Sequence, residues 1–167
     1  MTVTPDRGLI DEFAQEVLAS VGPEELAVFP ETSEEYHRDP EKVLSAKGKD
    51  EAVGFGLDLG LLTPYVLAVA APVLTYLLNT VVEAAKTEAK PVIGNIVHRL
   101  FHRKKAAGDG AGTTGTSEPD EEPIRLSAAE AAKVREVALA RASDLGLTQE
   151  RARLLADAVV GGLNVAT

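Results

Sequence analysis

Apolar and polar positions follow a helical period over most of this chain, and one stretch departs from it by having no polar face. Over residues 5–20, Leu9, Ile10, Phe13, Val17 and Leu18 recur on one side, with Asp11, Glu12, Gln15 and Glu16 opposite. That spacing predicts an amphipathic helix. Thr4 is placed to cap it, Pro5 suits its first turn, and Gly22-Pro23 ends it. Glu24 to Phe29 predicts a turn or short helix ahead of Pro30. The segment ETSEEYHRDPEKVLSA then predicts two short helices, with Thr32 or Ser33 and later Asp39 as caps.

The departure is Leu59 to Leu78, LGLLTPYVLAVAAPVLTYLL, which holds no charged residue. The uncharged window runs on to Val82, so 24 positions between Asp58 and Glu83 lack a formal charge. A bilayer core of roughly 30 Å needs about 20 apolar helical residues, so the stretch is long enough to span one. Leu59, Leu62, Val69, Leu74 and Leu78 supply its apolar bulk, and Tyr65 and Tyr76 sit near its ends, where interfacial aromatics are common. Pro64 suits a helix start. Pro72 falls inside the helix and predicts a kink, with the Ala68 carbonyl left for Thr75 or Asn79 to satisfy. A helix that is apolar all round equally fits the buried centre of a soluble bundle.

Glycines at 48, 54, 56 and 60 make the approach to this helix a hinge. Gly54-Phe55-Gly56 is not a phosphate loop: no strand precedes it, and it lacks both a third glycine and a GK[ST] ending. Beyond the apolar stretch the helical pattern continues through Val82, Ala85, Ala89, Ile93, Ile96, Val97, Leu100 and Phe101, interrupted by Pro91. It closes on HRLFHRKK. His98, Arg99, His102, Arg103, Lys104 and Lys105 there are the candidate contacts to anionic lipid. His98 and His102 have metal-ligand spacing, but the cations around them argue against a metal. Residues 106–122, rich in Gly, Thr and acid, predict a disordered linker.

The last segment predicts a helical hairpin. Ser127 and Glu130 form a capping box, and the first helix runs to about Ser143, burying Ala131, Val134, Ala138 and either Leu139 or Ala142. Asp144-Leu145-Gly146-Leu147 is the turn. Thr148 caps a second helix with Leu154, Leu155, Ala158 and Val159 inward. About 40 residues are too few for a stable core of their own, so the hairpin is expected to pack on the N-terminal helices or on another chain.

These elements define an all-α chain. An acidic helical module occupies residues 1–52, followed by hinge, apolar helix and basic amphipathic helix over 53–105, the linker over 106–122, and the hairpin over 123–167. Charge sharpens the division. Residues 1–58 carry 5 basic and 14 acidic side chains, whereas residues 83–105 carry 6 basic and 2 acidic. The net charge of −9 argues against nucleic acid as a partner. The absence of cysteine excludes disulfides and thiolate chemistry. The N-terminus has no signal-peptide pattern, and the Ala- and Arg-bearing composition points to a bacterial source.

No nucleophile–base pair is visible, so the expectation is a non-enzymatic protein with no cofactor and no metal. Two functions remain. In the first, a membrane-anchored adaptor or effector subunit has membrane lipids, an unidentified protein and its own copies as partners. It sits in the cell membrane with its C-terminal part cytoplasmic by the positive-inside rule, and its acidic N-terminal part lies outside for a single crossing or in the cytoplasm if Pro72 makes the segment re-entrant. Phe13, Val17, Leu154 and Val159 mark its partner-facing helices. In the second, a soluble, cytoplasmic helical scaffold buries the apolar helix within its own modules or in an oligomer.

Overall fold

A computed structural model describes residues 4–46, 62–84 and 125–163, all of them in helices and short connections. Among the described residues six α-helices follow in order: α1 Arg7–Val21, α2 Phe29–Arg38, α3 Pro40–Ala46, α4 Thr63–Ala84, α5 Ala128–Asp144 and α6 Gln149–Gly161. A 3₁₀ turn, Pro23–Ala27, joins α1 to α2. The all-α class is as expected. Leu59, the glycine hinge, the basic residues His98, Arg99, His102, Arg103, Lys104 and Lys105, and the 106–122 linker lie outside the described residues.

The N-terminal caps differ from the sequence expectation. Asp6, not Thr4, caps α1, its Oδ1 accepting the Leu9 amide at 2.9 Å. Pro30 lies in the first turn of α2, which starts the helix early and leaves Thr32 and Ser33 inside it as buried residues. Asp39 caps α3 as expected, accepting the Lys42 amide at 3.1 Å.

The hairpin forms as its local signals require. The Glu130 side chain accepts from the Ser127 amide at 2.7 Å, and Ser127 Oγ accepts from the Glu130 amide at 3.2 Å. The C-terminus of α5 closes with the Leu147 amide on the Ala142 carbonyl and the Gly146 amide on the Ser143 carbonyl. That pair of bonds is the Schellman arrangement, and it requires Gly146 at a φ of +82°. Thr148 caps α6 at the long distance of 3.5 Å.

Helix α4 is the axis of the molecule. Helices α1, α2, α3 and α5 all pack against it, and α6 packs against α1 and α5. One core cluster takes Phe13, Val17 and Leu18 from α1, Leu67, Leu74 and Leu77 from α4, and Val134, Leu155 and Val159 from the hairpin. The hairpin thus packs on the chain's own N-terminal half, one of its two expected positions.

Candidate functional site: the sheathed apolar helix

The first turn of α4 presents amide groups without helical acceptors, and Leu62, immediately before it, has no side-chain acceptor to offer. A residue from the 3₁₀ turn supplies one. The Glu25 carboxylate accepts the Leu62 amide at 2.7 Å, the Thr63 amide at 2.9 Å and the Thr63 hydroxyl at 2.6 Å. Glu25 is 9% exposed and Thr63 is fully buried. Taking a carboxylate out of water is costly, but three charge-assisted bonds at a positive helix end offset that cost.

Along the helix, side-chain polarity is absorbed internally. Thr75 Oγ1 donates to the Ala71 carbonyl at 2.8 Å, Asn79 Nδ2 to the Thr75 carbonyl at 2.7 Å, and Thr80 Oγ1 to the Tyr76 carbonyl at 2.9 Å. The Thr75 hydroxyl and the Asn79 amide thus donate to carbonyls of their own helix. The helix runs through Pro72 without a break.

The predicted spanning residues divide by depth. Pro64, Val69, Leu74 and Leu78 are buried, while Leu62, Tyr65, Pro72 and Tyr76 are half-buried. From Leu62 to Thr80 no side chain is exposed. Tyr65 and Tyr76 pack against the protein core. The window Thr63–Thr80 is nevertheless long and apolar enough to cross a membrane, with a mean hydropathy of 1.2, and 61% of it is buried inside the fold.

The expected partner-facing residues require a correction. Phe13, Val17 and Val159 are at most 1% exposed and belong to the intramolecular core. Leu154 points outward and is 55% exposed. The inner stripe of α6 is set by Ala152, Leu155, Ala156 and Val159, all buried at helical spacing, and this phase rotates Leu154 to the outside.

A second polar cluster joins α1 to α2. Asp11 Oδ1 lies 2.7 Å from both Ser33 Oγ and His37 Nε2, and Arg7 Nε lies 3.7 Å from Asp11 Oδ2. A carboxylate only accepts, so both the hydroxyl and the imidazole donate to it. The Ser33 proton goes to Asp11 rather than to an imidazole base, and Ser33 is buried, so these three residues do not form an activated nucleophile. Ser33 and His37 stand one helical turn apart, which was a readable signal. Asp11 lies on another helix, and nothing local announced it.

Tyr36, beside His37, spans toward the hairpin. Burial raises the pKa of its phenol above the usual 10.0, and the positive Arg141 on α5 opposes that rise. Among the described residues, no three His, Cys, Asp or Glu side chains converge as a metal site. An open groove lined by Tyr76, Asn79, Thr80, Glu83 and Glu130 lies between α4 and the start of α5. No protein-family model, curated protein or solved structure matches this chain.

Proposed function

We propose that this chain is a non-enzymatic, all-helical scaffold or assembly component whose apolar helix is the core helix of its own bundle. The burial of α4 carries the reading. Every side chain from Leu62 to Thr80 is buried or half-buried, and the cover is made of amphipathic helices of the same chain. A lipid-facing helix needs its apolar faces free of such a cover. The outward surfaces are the partner surfaces in this reading. On α2 and α3 these include exposed Glu31, Glu34, Glu35 and Glu41, which suit a basic protein partner and disfavour nucleic acid.

A second reading is supported by the length and apolarity of Thr63–Thr80. In it the protein is a membrane-anchored adaptor, with lipids as partners and its C-terminal part in the cytoplasm. One substitution separates the two. Val69→Asp puts a charge at a position only 1% exposed in the bundle. It unfolds or aggregates a bundle protein, whereas it releases an anchored protein from the membrane.

A further inference from the structure

Helix α4 has the length and composition of a bilayer span, yet it is sheathed. Its N-terminal end is also held by a carboxylate from a different element, 37 positions away in sequence. We infer that Glu25 is the latch of a closed form: it fixes the N-terminal end of α4 in the sheath, and loss of its bonds to Leu62 and Thr63 gives α4 access to a lipid bilayer. This rests on the sheathed bundle being the resting form.

The chemistry singles out Glu25. Three donors, the amides of Leu62 and Thr63 and the Thr63 hydroxyl, converge on one side chain. A neutral amide of the same shape keeps one acceptor oxygen and puts an NH2 where the other stood, so donors on that side lose their acceptor and opening becomes easier at this end of α4. The hairpin has independent local closures: the Ser127–Glu130 capping box, the Gly146 turn and the 2.6 Å Arg135–Asp157 pair between α5 and α6. When the acidic module parts from the N-terminal end of α4, α5 still has its contacts with α4 and with α6. The surface uncovered is uncharged over Thr63–Thr80 and one bilayer thick, and lipid is the acceptor that fits it.

The test is flotation of the full chain with vesicles of pure phosphatidylcholine, a neutral lipid that gives basic segments no electrostatic attraction. Wild type, Glu25→Gln and Thr63→Val are compared, the last removing a single bond in case the first fails to fold. Gly146→Ala, which strains the hairpin turn through its φ of +82° without removing a bond to Glu25, serves as the control. The latch predicts that wild type and Gly146→Ala stay unbound and that the bound fraction rises roughly tenfold for Glu25→Gln, with a smaller rise for Thr63→Val. Two results overturn it. Equal binding by Gly146→Ala means that general destabilisation is responsible. Oligomers of Glu25→Gln without vesicle binding mean that the uncovered face takes a second copy. Strong binding by wild type instead removes the bundle reading itself.

Discussion

Glu25 and Thr63 lie 38 positions apart and meet in the interior, where one carboxylate oxygen takes both the Thr63 amide at 2.9 Å and its hydroxyl at 2.6 Å. The acidic N-terminal module and the apolar helix are thus joined by more than apolar contact. Glu25→Ala is expected to lower the unfolding free energy by about 2–3 kcal/mol, since it leaves buried donors unpaired. Urea denaturation followed by circular dichroism measures this. A loss within about 0.5 kcal/mol, the range of an ordinary surface change, contradicts the assignment.

Leu74 is fully buried in the middle of α4. Leu74→Ala should cost about 2–5 kcal/mol through lost burial and the cavity left behind. Leu154→Ala, on an exposed side chain, should cost far less. Chemical denaturation of the two variants side by side gives the ordering, and equal losses contradict the packing of α4 and α6.

A methyl group added at Gly146 would meet nothing within 4 Å, so only the φ of +82° resists substitution there. Gly146→Ala is expected to cost about 1–2 kcal/mol. A shift of the thermal midpoint downward with unchanged helicity is the expected signature. No shift means that the turn adopts another conformation.

Tyr36 gives the fold a pH dependence at the alkaline end. Its folded pKa is raised above the unfolded 10.0, chiefly by burial, with Arg141 opposing. The neutral phenol is therefore favoured in the folded state. That stability is fully present below pH 10 and is lost as the pH climbs through the folded value. Tyr36→Phe should flatten this part of the stability–pH curve, as read by denaturation at a series of alkaline pH values. An unchanged curve means that Tyr36 does not ionise differently in the two states.

Local signals were the legible part of this fold. The capping box at Ser127 and Glu130, the turn at Gly146 and the Asp39 cap each involve residues within a few positions of one another, and each formed as expected. The helical nature of Thr63–Ala84 was equally plain. Its surroundings were not, because a helix apolar on every face is consistent with lipid and with protein alike. The Glu25 clasp and the place of Asp11 beside Ser33 and His37 had no local signal, since each contact joins residues more than 20 positions apart. Leu154 misled because it adjoins Leu155. Helical phase gives two neighbours different sides, and the small residues Ala152 and Ala156 fixed which side was inner.

The central claim is that α4 is covered by its own chain, and fractionation of the expressed protein with an alkaline carbonate wash of the membrane pellet tests it most directly. The sheathed bundle predicts recovery in the soluble fraction as a folded species that unfolds in one cooperative transition. Retention of the protein in the pellet after the wash contradicts it and places Thr63–Thr80 in lipid.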